Sequence, residues 1–152
     1  MELGELVQMN NEQRAAIEAE CCALIIAITQ HGDHGEHAQA AALFAKDGSW
    51  LRGGRRYTGP DEILKSYKRG SSTQVTRHIN GGTRVTVRDE DRADSVTYYL
   101  AISDDPGTPD ASLPMALKPF SMGEWHDSFV RTPEGWRFAS RATMRLFERA
   151  EA

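Results

Sequence analysis

Apolar positions recur at spacings of three and four near the start of the chain and at a spacing of two in its second half. Ile17, Cys21, Leu24, Ile25 and Ile28 make one stripe, which predicts an amphipathic helix over residues 11–30 with Asn11 as its N-cap and Glu12 in the first turn. Gly32 and Gly35 punctuate the chain, and an Ala-rich run over 36–46 predicts a second helix burying Leu43 and Phe44. Short strands follow at 49–51 and 55–58 around the Gly53-Gly54 turn. Gly59-Pro60-Asp61 opens a third helix, with Ile63, Leu64 and Tyr67 inward, ending near Gly70. From Ser71 the period falls to two, and strands are expected at 74–80, 83–88 and 93–102. Residues 103–119 hold Pro106, Pro109, Pro114 and Pro119, a composition that sustains no ladder and predicts a long loop, either a lid or a subunit contact. A long hairpin, 120–131 and 136–147, closes the chain around Thr132-Pro133-Glu134-Gly135. Three helices followed by an antiparallel sheet is an α+β layout, in one domain spanning 1–152.

Composition narrows the function classes. A net charge of −4 without a Lys/Arg block argues against nucleic acid. No apolar run approaches the roughly 18 residues that span a bilayer, and Glu2 and Glu5 stand where a signal peptide carries positive charge. Cys21 and Cys22 are adjacent, so a bridge between them would be strained; they read as reduced, buried thiols of a cytoplasmic protein.

The chemistry-bearing residues crowd into His31-Gly32-Asp33-His34-Gly35-Glu36-His37. Three His at spacings of three invite a metal, but the two glycines break the helix that chelation would need, and no His-Glu-x-x-His or paired Cys-x-x-Cys pattern is present. No metal is expected, and His31 and His37 read as surface. Asp33, at the inner end of the first helix, needs a partner, because an unpaired buried charge is costly. His78, in Thr76-Arg77-His78-Ile79-Asn80, is the candidate. Such a pair is either a structural hydrogen bond or a dyad in which Asp fixes the His tautomer and the other ring nitrogen acts as a base.

Four segments in this order resemble the SnoaL-like branch of the nuclear transport factor 2-like superfamily. They are Leu-Phe-Ala-Lys-Asp-Gly-Ser-Trp (43–50), Tyr-Thr-Gly-Pro-Asp-Glu-Ile (57–63), Thr-Arg-His-Ile-Asn (76–80) and Asp-Ser-Phe-Val-Arg-Thr-Pro-Glu-Gly-Trp-Arg-Phe-Ala-Ser-Arg (127–141). The resemblance implies a cone-shaped α+β barrel, its bent antiparallel sheet wrapped around the first helix with a pocket at the open end. The lyase members it resembles are hexachlorocyclohexane dehydrochlorinase, scytalone dehydratase and bile-acid 7α-dehydratase, which use a pocket His assisted by an Asp and no cofactor. Asp33, eleven residues before Phe44, falls on the family's Asp, His78 on its His, and Arg141 on a pocket Arg. The family's dehydratases also place a Tyr in the first helix; the matching stretch, 25–29, holds none. Tyr98, Tyr99 or Tyr57 would substitute only by facing the pocket.

The likeness puts Ser121, Gly123, Trp125 and Asp127 on the pocket side, with Trp125 equally readable as core, and Tyr99 and His34 complete the candidate lining. If Arg141 points inward, strand alternation brings Thr143 and Ala139 with it and sends Trp136 and Phe138 to the opposite face. Trp50 and Phe44 read as core. The expected function is a cofactor-independent lyase, of dehydratase or dehydrohalogenase type, acting on a small hydrophobic cyclic or aromatic substrate. A non-catalytic ligand-binding or assembly module is the alternative from another class, and an isomerase or polyketide-type cyclase a third. The resemblance implies a homo-oligomer, a trimer before a dimer, while charge and hydropathy lead to the expectation of no nucleic-acid or membrane partner.

Overall fold

A computed structural model describes residues 9–68, 70–108 and 113–150. Helix α1 (Asn11–Asp33) is followed by α2 (His37–Ala42), β1 (Phe44–Arg52), β2 (Arg55–Thr58), α3 (Pro60–Tyr67), β3 (Val75–Val87), β4 (Arg92–Asp104), β5 (Pro119–Thr132) and β6 (Gly135–Glu148). The six strands form one curved, unclosed sheet in the order β2-β1-β6-β5-β4-β3. It is not the wholly antiparallel sheet that was expected, because β1 runs parallel to β6.

Helix α1 starts one residue earlier than its sequence signal. Asn10 rather than Asn11 is the N-cap, because Gln13 lies three residues on and the two exchange hydrogen bonds: Asn10 Oδ1 accepts from Gln13 N at 2.8 Å and Gln13 Oε1 from Asn10 N at 2.9 Å. Such a box contributes about 1 kcal/mol. At the other end the helix runs past Gln30 to Asp33. Arg77 Nη1 donates to the Asp33 carbonyl at 2.8 Å, satisfying a terminal acceptor that would otherwise favour fraying. The buried stripe Ile17, Cys21, Ile25 and Ile28 packs with Phe44, Phe129, Trp136 and Phe138 in the main core. Both cysteines are unbridged; burial pushes the Cys21 thiol up to about 12 and that of Cys22 upward as well.

The Ala-rich helix is shorter than predicted. It stops at Ala42, and residues 44–46 enter β1 instead. Tertiary pairing overrides helix propensity here: Phe44 aligns with Phe138, and Phe138 N donates to Leu43 O at 2.9 Å. Gly48 permits this approach, since a Cβ there would stand 2.7 Å from the Phe138 carbonyl oxygen. The two strands expected at 74–80 and 83–88 are one, β3, with a register shift between Asn80 and Thr83. The expected 103–119 loop is narrower, with Ser103 and Asp104 ending β4 and Pro119 opening β5; its middle, 109–112, lies outside the described residues, as do residues 1–8.

Strand parity in β6 also departs from simple alternation. Between Ser128 and Phe129 the β5–β6 register shifts, so that Ser128 faces Ser140 and Phe129 faces Phe138. The extra residue, Ala139, is a bulge, and a bulge moves every later side chain to the other face. Phe138 and Arg141 therefore both point inward, whereas alternation had put them on opposite faces; Trp136 is buried too.

Candidate active site

Two polar rungs join α1 to β3. Thr29 Oγ1 lies 3.4 Å from Asn80 Oδ1 and accepts from Asn80 Nδ2 at 3.3 Å, and one turn later Asp33 meets His78. Four helical residues rise about 6 Å and two strand residues about 6.7 Å, so positions 29 and 33 match 80 and 78 along the two elements. Sequence reasoning found the second rung and missed the first, whose only trace is a polar residue at the end of each apolar pattern.

Asp33 uses both oxygens on one neighbour. Oδ1 lies 2.7 Å from His78 Nδ1 and Oδ2 accepts the His78 backbone N–H at 2.7 Å. A carboxylate at a helix C-terminus faces the negative end of the helix dipole, which disfavours it unless it is well paired. Here it is, with a side chain only 7 % exposed against 28 % for His78. An ionised carboxylate only accepts, so His78 Nδ1 is the donor in this pair, which leaves Nε2 as the free position of the ring. The pair holds the His78 ring in one orientation on an edge strand.

Beside His78 stands a small aromatic cluster separate from the main core, Tyr99, Ala101 and Trp125. Tyr99 and Trp125 stack at 4.7 Å and 14°, and the His78 ring centre is 5.5 Å from that of Trp125 and 6.1 Å from that of Tyr99. The Arg141 guanidinium lies 4.5 Å from the centre of the Trp125 ring and 4.8 Å from that of Phe138. Trp125 thus touches both His78 and Arg141. Ser121, Gly123, Trp125 and Asp127 alternate with outward residues along β5, and all but Gly123 are confirmed as buried side chains. At Gly123 the β6 backbone fills the space, since a Cβ would sit 1.9 Å from the Met144 carbonyl oxygen, so only glycine fits.

Arg141 is not a free cation. Its Nε and Nη2 donate to the two oxygens of Asp127, each at 2.7 Å, with side chains 1 % and 0 % exposed. Bidentate pairing is what makes so buried a charge tolerable. Nη1 makes no hydrogen bond among the described residues. Thr143 accepts from Trp50 Nε1 at 2.9 Å, which ties β1 to β6, and Trp50 lies in the main core as its sequence reading has it.

The remaining candidates lie elsewhere. His34 is exposed, and its Nδ1 lies 2.8 Å from Gln30 O within its own helix end. His31 Nδ1 is 2.5 Å from Glu36. His37 is half-buried and stacks on Tyr67 at 4.6 Å and 9°. The three histidines face three different partners, and among the described residues no group of three or more His, Cys, Asp or Glu is placed to hold a metal ion. Tyr98 points outward, 53 % exposed, and Tyr57 lies in the main core. Of the three tyrosines considered from sequence, only Tyr99 reaches His78. Two surface hollows, of about 520 and 360 Å³, are lined by residues such as Lys46 and Arg137 or Gln13 and Glu90, and neither is lined by His78 or Asp33.

Solved structures share this architecture. A proposed scytalone dehydratase from Novosphingobium aromaticivorans is 19% identical, with a TM-score of 0.75 over 91% of this chain and 89% of its own. A type 2 hexachlorocyclohexane dehydrochlorinase is 15% identical, with a TM-score of 0.78 over 94% of each chain. A nuclear transport factor 2-like protein with a cystatin-like fold, also from Novosphingobium aromaticivorans, is 21% identical at a TM-score of 0.72, over 95% of this chain and 92% of its own. At such identities the likeness establishes the fold alone. No curated protein sequence matches. The matched sequence family is described as a SnoaL-like domain, and its model spans residues 13–142: this chain belongs to that family.

Proposed function

We propose that the protein is a cofactor-independent lyase that eliminates water or halide from a small hydrophobic cyclic or aromatic substrate. The observation that carries this reading is the Asp33–His78 pair, held at 2.7 Å with Nε2 uncommitted beside an aromatic wall. His78 Nε2 takes a proton from carbon, and Asp33 stabilises the imidazolium that forms. Arg141 Nη1, the one guanidinium nitrogen without a partner, donates to the negative charge that develops on the substrate. Trp125 and Tyr99 supply the apolar wall against which a ring packs. The unbridged cysteines fit work in the reducing cytoplasm.

A non-catalytic binding module is the alternative reading. Product analysis separates the readings. With 3-hydroxycyclohexanone and 3-chlorocyclohexanone offered together as probes, the lyase yields an enone lighter by one water or one hydrogen chloride. A product of unchanged mass indicates an isomerase, and unreacted probe a binding module; either overturns the proposal.

The same reading includes a homo-oligomer, a trimer before a dimer. Ile79, Met122 and Phe147 sit in register on the outer face of β3, β5 and β6, all exposed, with Tyr98 and Met144 beside them. An apolar patch of this kind is one that a second copy covers. Light scattering is expected to give a mass near three times the 16.9 kDa chain; a monomer overturns it. No helix among the described residues is long and apolar enough to cross a membrane.

A further inference from the structure

Tyr67, the last residue of α3, entered the sequence reading only as an inward-facing position, yet its surroundings are not those of a plain core tyrosine. Its ring is stacked by His37, met edge-on by Trp50 at 5.6 Å, and covered by the Arg52 guanidinium at 5.3 Å. Its hydroxyl lies 3.6 Å from where a Cβ on Gly32 would stand, so the bare backbone before Asp33 makes room for the phenol. The ring is therefore anchored while the O–H has no hydrogen-bond partner among the described residues. The hydroxyl oxygen is not sealed in the core, because the buried polar atoms left without a partner among the described residues are Ser95 Oγ and Trp136 Nε1, so a bound acceptor can reach it.

The approach to Gly32 places this hydroxyl one residue along the chain from Asp33 of the dyad. Burial pushes the Tyr67 phenol up to about 12; the Arg52 and Arg141 guanidinium groups pull it down, and the Asp33 carboxylate pushes it further up. Asp33 holds His78, and Arg141 lies on Trp125 next to His78. Tyr67 thus sits within electrostatic reach of both ends of the proposed machinery, on a helix rather than on the sheet that carries His78.

We propose that Tyr67 is the acid of this site, donating its proton to a departing oxygen, so that the substrate is an alcohol losing water rather than a halide. This rests on the lyase reading and fixes its leaving group. His78 Nε2 takes the proton from carbon, the C–H electron pair becomes the new C=C bond, and the C–O pair leaves with oxygen. The Tyr67 proton joins that oxygen to release water. The imidazolium proton then returns to the phenolate through solvent, restoring both groups. Hydroxide is the anion of water, a weaker acid than a phenol, and takes a proton from one downhill. Chloride, the anion of a strong acid, takes none.

Tyr67→Phe removes the hydroxyl and keeps the ring contacts. Steady-state rates with 3-hydroxycyclohexanone and 3-chlorocyclohexanone, one skeleton with two leaving groups, then isolate the acid. The variant is expected to lose about 10²–10⁴-fold in kcat/KM on the alcohol and less than about threefold on the chloride. Equal losses on both make Tyr67 a packing residue and overturn the proposal, as does an unchanged rate on the alcohol. A wild-type protein inert towards both probes overturns instead the lyase reading on which the proposal stands.

Discussion

Replacing His78 with alanine is expected to lower kcat/KM on the hydroxyketone probe by at least about 10³-fold, with the far-UV circular dichroism unchanged. The ring belongs to no large core: it sits on an edge strand, partly exposed, and its loss leaves a small gap beside Trp125. Imidazole added to the medium is expected to restore part of the rate to His78→Ala, which a structural role would not allow. Asp33→Asn tests the same pair from the other side. Asp33 accepts from two donors, the Nδ1–H of His78 and its backbone N–H. An amide has one acceptor and one donor end, so one of those two contacts becomes N–H against N–H. If the amide nitrogen faces the backbone, the strand loosens. If it faces the ring, His78 is driven to the opposite tautomer and its Nε2 lone pair is lost. Either outcome costs turnover, by about 10²–10⁴-fold, with a stability loss of about 1–3 kcal/mol. Retention of more than a tenth of the rate in both variants would sink the dyad as catalytic machinery.

That pair is also the part of the site most legible in the sequence. Asp33 stands out because it follows the most apolar stretch of the chain, and a carboxylate there must find a partner. His78 stands out as a lone ionisable ring at the start of the sheet. What the sequence hides is where local rules lose to packing. The Ala-rich run over 38–42 continues as a helix by propensity, but Phe44 has a strand partner in Phe138, and the pairing wins. The alternation that should put Phe138 and Arg141 on opposite faces fails at one bulged residue, Ala139, which nothing in its own side chain announces. Tyr67 was legible as inward-facing but not as a neighbour of Gly32, because that approach depends on how α3 docks on α2 and β1. Sequence periodicity reports which face of an element is buried. It does not report which residue of another element that face meets.

Breaking the Asp127–Arg141 pair is expected to produce the largest loss of stability of any single substitution at the site. Asp127→Ala leaves a guanidinium 1 % exposed, held only by the faces of Trp125 and Phe138. Orphaning such a charge costs about 3–5 kcal/mol, a large share of the roughly 5–15 kcal/mol that separates folded from unfolded chains. At roughly 2–4 °C per kcal/mol for a domain of this size, Tm is expected to fall by about 6–20 °C in thermal melts. The reciprocal change differs in kind. Arg141→Met leaves a buried carboxyl, which can escape its charge by binding a proton, whereas a guanidinium cannot. Such a group binds its proton more readily folded than unfolded, so its penalty shrinks as pH falls and grows as pH rises. The Arg141→Met deficit is therefore expected to narrow in melts taken at acid pH, while that of Asp127→Ala does not. Asp127→Leu combined with Arg141→Met removes both charges and is expected to recover most of the lost Tm, since apolar replacement of a buried pair is often neutral. If the double variant is as stable as the wild type but turns over more slowly, the pair contributes to the site, through Nη1 and the Trp125 face, rather than to folding. A double variant with full activity would mean that Arg141 serves only to pack Trp125 and Phe138.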